Sequence, residues 1–465
     1  MILTLALRSL FAHPIRSAVL AAGFGLGVSV MAILLGVGQV VLEQAQAPEL
    51  AGGGDVVVTG SAGEVTAARV VLAGPLRTGS LGEQTRAASP WSRTTLYLVE
   101  ASGTLPVRAR GGIPSLERQM NDPEVAEQPA WTDTAADRRW TEPTDDDLLR
   151  TVDRFHPIPV VPARAASWAE WLYFNGRAAN ARFYLTFIAG PRQANSRVVG
   201  VRLQLDRGGA MESFGASAQV DDATLARAPD LTIGNNHVRL EGGRYHLDLD
   251  LRDARGRRAR GTLTLQGSAT RLVPPIEMHG AAGWRTGYVV PVLAGALSGT
   301  LTVDGKTVSF ENGAGYHDHN WGFWEGVSWQ WGQVHHGDLS FVYGRVFPPA
   351  DAADPDRLPG FLAAIGPSGP LGYTTNVTIT ETNDESGGPR EIEIHGRSQS
   401  LELALTFVVD DLVITPMQQG AVGTGLEFLQ MRGSYQATGR VGEQGVAFRA
   451  AGAAETFRAP RASQR

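Results

Sequence analysis

From Ser167 to the end, the chain reads as a succession of short strands, and this pattern limits its possible folds more than any other feature. "ARFYLTFIAG", "RVVGVRLQLDRGG", "GTLTVDGKTVSFENG", "EIEIHGRSQSLELALTFVV" and "GSYQATGRV" are apolar or alternating runs separated by glycine, asparagine or aspartate turns. Within "RYHLDLDLRD", Tyr245, Leu247 and Leu249 fall on one face and His246, Asp248 and Asp250 on the other. That is the period of a half-buried antiparallel strand. So many short strands predict sandwiches or barrels, and the length of the region predicts two of them. Closed barrels also offer concave apolar interiors to ligands.

The N-terminus carries a different signal. Ser17 to Leu42 is a run of 26 residues without a charge, which as a helix reaches about 39 Å and exceeds the hydrocarbon thickness of about 30 Å. Arg8 and Arg16 precede it and Glu43 and Glu49 follow it, so the N-terminus is expected in the cytoplasm and the remainder outside. Gly23 and Gly27 form a GxxxG pair suited to packing against another membrane helix, although glycine is also common in such helices generally. "AQA" at Ala45–Ala47 has the form of a signal-peptide cleavage site, but the apolar run is too long for a signal peptide, so an uncleaved anchor is expected. "LALRSLFAHPIRSAVLAAGFGLGVSVMAILLGVG" resembles the first amphipathic and transmembrane segments of FtsX/MacB-like ABC-transporter permeases. No later stretch could supply a permease's further helices, so the resemblance implies a docking helix or a relic, with a permease as a possible partner.

Between these regions, residues 48–150 are mixed. "RVVLAG" and "TTLYLVEA" predict short strands, and "NDPEVAEQPAWTDTAADRRWTEPTDDD" predicts a polar surface segment or linker. The net charge of -6 and pI near 6.0 give no electrostatic reason to expect nucleic acid. The absence of cysteine excludes disulfides, thiolate catalysis and cysteine-ligated metals. No nucleotide, flavin or phosphate motif occurs, since "GFGLG" lies inside the uncharged run, and no cofactor is expected.

Two clusters stand out of the strand background. In "SWAEWLYFNGR", Trp168, Glu170, Leu172 and Phe174 share one parity and Trp171, Tyr173 and Asn175 the other. In "GYHDHNWGFWEGVSWQWGQVHHGD", four tryptophans, four histidines and three carboxylates fall between Gly315 and Asp338. If extended, His317, His319 and Trp321 face one way and Tyr316, Asp318 and Asn320 the other.

"EWLYFNG" and "GYHDHNWG", followed by the Trp-rich strand and a terminal "GAAETF", resemble the signature of the carotenoid 1,2-hydratase (hydroxyneurosporene synthase) and AttH-like family over roughly residues 150–460. The resemblance implies two lipocalin-like β-barrels with ligand space near their junction. It also implies reactions on polyenes and isoprenoids, because the family is similar to fungal Diels-Alderases and tocopherol cyclases. The expected domains are 1–47 for the cytoplasmic start and transmembrane helix, 48–150 for the mixed region, and 151–280 and 281–465 for the two β-domains.

Hydration or cyclisation of an unactivated double bond needs a proton given to carbon and a shielded cation. Asp318 is the natural acid. A free aspartate titrates near ~3.9, so burial among aromatics must raise it before it can act as a neutral donor. His317 and His319 are candidates to orient it or to take a proton from water. Tyr316, Trp321, Trp324, Trp329 and Trp331, with Trp171, Tyr173, Glu170 and Asn175 from the first cluster, are candidates to line the substrate site. Three other readings stay open. Asp318 and Asn320 can tie down a loop beside core tryptophans in a protein that only binds an apolar ligand. His317, His319 and one of His335 or His336 can form a metal site. Glu170 can pair with Arg177 or Arg182. The expected function is a membrane-anchored, extracytoplasmic lyase or cyclase of the hydratase type, or a non-catalytic lipid-binding protein attached to a permease.

Overall fold

The computed structural model describes residues 79–459, apart from 101–102, 127, 209–210, 270, 386 and 418–425, together with 14–15, 56–59, 65, 67–74 and 76. The uncharged run Ser17–Leu42 lies outside the described residues. Among the described residues, no helix is long and apolar enough to cross a membrane. The chain divides into two compact units, one of residues 1–65 and 87–134, the other of residues 66–86 and 135–465.

In the smaller unit, β1 (Trp91–Glu100) and β2 (Gly103–Gly112) form an antiparallel hairpin, which includes the strand expected from "TTLYLVEA". Short helices Pro114–Gln119 and Pro123–Ala126 follow. Arg110 joins this segment by pairing with the buried carboxylates of Glu117 and Asp122.

The larger unit holds two antiparallel sheets. The first contains β3 (Trp168–Ala178), β4 (Ala181–Gln193), β5 (Ser196–Asp206), β6 (Glu212–Asp221), β7 (Leu231–Ile233), β8 (Asn236–Glu241), β9 (Arg244–Arg252), β10 (Arg258–Gln266), β11 (Val273–His279), β12 (Arg285–Val303), β13 (Lys306–Ser309) and β14 (Gly313–Phe323). Its path β10-β12-β14-β3-β4-β5-β6-β9 returns to β10 through the β9–β10 pairing, giving a closed barrel of eight strands. The β6–β9 seam is narrow, with Gly215 opposite Arg252 as its pair. Along β9, Tyr245, Leu247, Leu249 and Leu251 are buried, so the alternation read in the sequence places that face in the core.

The second sheet contains β15 (Ser328–His336), β16 (Leu339–Phe347), β17 (Phe361–Gly366), β18 (Gly369–Thr374), β19 (Val377–Asn383), β20 (Pro389–Arg397), β21 (Leu401–Met417), β22 (Leu426–Val441) and β23 (Gln444–Arg458). Its order is β18-β17-β16-β15-β23-β22-β21-β20-β19, an open half-barrel with β18 and β19 at its ends. The all-β expectation therefore holds, with one barrel closed and the other sheet open. The expected domain boundary at 280 does not match the sheets. Closing the barrel requires β12 and β14, so the change from one sheet to the other falls at residues 324–327.

"RVVLAG" is helical rather than extended: Ala68–Ala73 forms a helix whose Val70 joins the core that contains Leu149 and Val152. A short apolar run fits either structure, and packing against the neighbouring helix favours this one. That neighbour, Asp145–Val152, begins in a capping box in which Thr144 Oγ1 accepts from the Asp147 backbone N–H at 3.1 Å and Asp147 accepts from the Thr144 N–H at 3.1 Å. Asp146 accepts from the backbone N–H groups of Gly242 and Gly243 at 3.1 and 2.6 Å, which fixes the helix to the β8–β9 turn. The chain leaving this helix carries Asp153, Phe155 and His156 to the barrel.

Candidate functional site

β14 separates two kinds of chemistry by parity. It is flanked by β3, with His317 opposite Phe174, Asp318 opposite Tyr173, and Trp321 opposite Glu170. Gly322 has φ +141, and a Cβ there would lie 2.6 Å from Thr286 Cα, so the motif's second glycine allows β14 to approach β12.

On the face that holds the histidines, a row of ionisable groups is sealed from solvent. His317 Nε2 meets Asp153 Oδ2 at 2.9 Å, and His317 Nδ1 meets the Tyr173 carbonyl at 2.9 Å. His319 lies between Asp153 Oδ1 at 3.1 Å and Glu170 Oε1 at 3.0 Å. Both of its partners are acceptors, so the ring serves them best as an imidazolium. Burial alone would lower the His319 pKa, but the Asp153 and Glu170 carboxylates outweigh it and raise it to about 9. Burial likewise pushes Asp153 and Glu170 upward, but their histidine partners hold both below the usual carboxylate value.

His156, His319 and Glu170 each offer one ligand atom, all within 4.8 Å of one another, the spacing a metal ion could use. Glu170 Oε1, however, already accepts from the His156 backbone N–H at 2.8 Å and meets His156 Nδ1 at 2.8 Å and His319 Nε2 at 3.0 Å. Ion pairing satisfies that oxygen without a metal.

The opposite face borders a cavity of about 400 Å³ between the two sheets. Asp318 lies in its wall with only 7% of its surface exposed. Tyr316 donates its hydroxyl to Asp318 Oδ2 at 2.8 Å, and Asn320 donates Nδ2–H to Oδ1 at 2.7 Å. Both bonds favour the carboxylate, yet burial outweighs them and pushes Asp318 up to about 7. Across the cavity, the partly buried Glu455 on β23 accepts from the Tyr173 hydroxyl at 2.9 Å. Burial, reinforced by the nearby Asp318, pushes Glu455 up to about 8. Both carboxyls in the cavity wall are therefore raised toward neutrality.

Aromatic rings enclose the space. Trp171 and Trp324 have centroids 4.7 Å apart, Trp324 and Trp329 5.4 Å, and Trp329 stacks on Phe457 at 4.2 Å. Trp331, Tyr288 and Phe361 complete much of the wall.

The cavity thus brings together Asp318, Trp171, Tyr173, Trp324, Trp329 and Trp331 from the sequence-predicted set. Tyr316 is buried behind Asp318, and Asn175, its cross-strand partner, is not part of the lining. His317, His319, Glu170 and Trp321 lie on the other face, with Trp321 stacked on His156 at 4.1 Å. The two histidines therefore do not reach Asp318's side of the sheet. The ion pair expected for Glu170 with Arg177 or Arg182 is replaced by the histidines, and Arg182 pairs with Asp206 and Asp411 instead. His335 bonds Ser340 Oγ at 2.9 Å and His336 stacks on Phe448, so neither joins His317 and His319. Sequence reasoning missed Asp153, His156 and Glu455. "GAAETF" contains Glu455 and was the available signal for it, while nothing in "RTVDRFHPIP" marks Asp153 or His156.

No protein-family model matches the chain, and neither does any curated protein. Among solved structures, a crystal structure of CghA with Sch210972 is similar at 11% identity, covering 68% of this chain and 96% of that one with a TM-score of 0.45. A second CghA structure matches at 12% identity, 66% and 94% coverage, and a TM-score of 0.45. At this identity and score, the likeness says nothing of what this chain binds.

Proposed function

We propose that the protein binds a polyene or isoprenoid in the cavity between its sheets and that Asp318 protonates a double bond of it, initiating hydration or cyclisation. The observation that carries this reading is a carboxyl in an aromatic cavity wall, held in the neutral range by burial. Tyr316 and Asn320 occupy the Asp318 oxygens from the strand side, which favours directing the acid's own O–H at the ligand. Trp171, Trp324 and Trp329 would face the resulting cation, each well-placed desolvated ring contributing about 2 kcal/mol. His317 and His319 support β14 from behind and have no step in the reaction.

Asp318→Asn preserves the size of the side chain and removes the transferable proton. With lycopene and squalene as probes, the variant is expected to retain binding and lose turnover by about 100- to 10,000-fold. Unchanged conversion by the variant refutes Asp318 as the acid. A wild type that binds both polyenes and converts neither supports the second reading, a carrier whose aromatic cavity is a binding wall. In either case, Ser17–Leu42 would anchor the chain with its β-domains outside the cytoplasm, and the Gly23–Gly27 face would pack against a permease helix.

A further inference from the structure

Three adjacent strands of the open sheet place a row of polar groups on the cavity. Trp331 on β15 is the direct partner of Glu455 on β23, and Glu455 is the direct partner of Gln430 on β22. Direct partners in an antiparallel sheet share a face, with Cβ atoms about 5 Å apart. All three residues line the cavity. A second row faces it from the barrel, where Asp318, Tyr173, Thr186 and Arg202 are successive cross-strand partners on β14, β3, β4 and β5 and also line the cavity. The rows meet where Tyr173 donates to Glu455 and Gln430 Nε2 donates to the Tyr173 hydroxyl at 3.3 Å.

The first row keeps unused hydrogen-bonding capacity. Trp331 Nε1, a donor, and Gln430 Oε1, an acceptor, are buried without a protein partner. The hydroxyl of Tyr288, also in the lining, is a third such atom. Trp331 is 8% exposed and Gln430 3%, so bulk water does not satisfy them. A hydrocarbon would leave these groups unpaired, and a carbonyl oxygen could accept from Trp331 but give nothing to Gln430. A hydroxyl carries both the acceptor that Trp331 lacks and the donor that Gln430 lacks.

We infer that Trp331, Glu455 and Gln430 form a hydroxyl-binding subsite, so that the ligand is an isoprenoid alcohol and not a pure hydrocarbon. Its oxygen accepts from Trp331 Nε1–H and its proton is donated to Gln430 Oε1 or the Glu455 carboxyl. The aromatic walls hold the apolar chain. This deepens the reading of the cavity as an isoprenoid site and rests on it, but it needs no turnover.

The test compares farnesol with farnesene, two C15 chains that differ in the hydroxyl, by displacement of a fluorescent apolar dye from the full-length protein. Farnesol is expected to bind at least about 10-fold more tightly, since a site built around a hydroxyl penalises the analogue that lacks it. Trp331→Phe keeps an aromatic ring in the wall and removes the donor, so it should reduce the ratio of farnesol to farnesene affinity several-fold. Gln430→Leu should lower the same ratio by removing the acceptor. Equal affinity for the two ligands in the wild type, or loss of both ligands together in both variants, overturns the subsite. Failure of the protein to convert any polyene would refute the catalytic proposal and leave this binding result standing.

Discussion

Asp318 combines the site's chemistry with a cost to the fold. Unfolded, it titrates near its ordinary 3.8, whereas folded it is raised to about 7 by burial. Between those values the folded protein keeps a proton that the unfolded chain has lost, so this group's contribution to stability falls as pH rises through the interval. Glu455, raised to about 8 from 4.5, acts in the same direction. Asp318→Asn removes the titration. Its melting temperature should therefore decline less than that of the wild type between pH 4 and pH 8, with the variant more stable at pH 8 by a few kcal/mol, on the order of 1.4 kcal/mol per pH unit of displacement. Parallel melting curves for the two proteins would show that the carboxyl is not held neutral. Asp318 was legible in the sequence because its aromatic and histidine neighbours are contiguous with it. Its pKa was not, because the burial that sets it comes from two sheets.

At the scale of the element, β14 relies on the buried ladder of Asp153, His317, His319 and Glu170 behind it, with the partly exposed His156 at its end. His319, raised to about 9 from 6.5, contributes stability that is fully present below about pH 6.5 and lost as pH rises through 9. Asp153 and Glu170, both depressed, contribute stability that is present above their ordinary values of 3.8 and 4.5 and lost as pH falls below them. The ladder is thus most favourable in weakly acidic solution. Asp153→Asn breaks the buried pairing with both histidines and should cost about 3–5 kcal/mol near pH 6, read by denaturant unfolding. A loss within 0.5 kcal/mol would mean the pairing is dispensable. Elemental analysis of chelator-free protein should find no stoichiometric zinc, iron or copper. One metal per chain, lost in His319→Ala, would replace ion pairing with coordination. The alternation that separates His317 and His319 from Asp318 was readable from i, i+2 spacing alone. The ladder's acidic partner was not, since Asp153 is 164 residues from His317 in sequence and arrives from the end of a helix.

For the whole molecule, the proposed orientation, argued from Arg8, Arg16 and the uncharged run, would put the β-domains outside the cytoplasm. A reporter active only outside the cytoplasm, fused after Arg465, should be active, and a silent reporter on fully cytoplasmic protein would reverse the assignment. The sequence by itself determined the strand-rich class, the parity of each motif and the richness of one segment in acid and aromatic groups, because these depend on composition and on a two-residue repeat. It did not determine that β12 and β14 close the first barrel, which moves the boundary from 280 to 324–327. Nor did it show which face of β14 meets a cavity and which meets buried carboxylates. Tyr173 and Glu455 are 282 residues apart in the chain, and their contact depends on two separately hydrogen-bonded sheets meeting across one space. No local pattern encodes such a pairing, because strand alternation defines two faces without specifying what either will pack against.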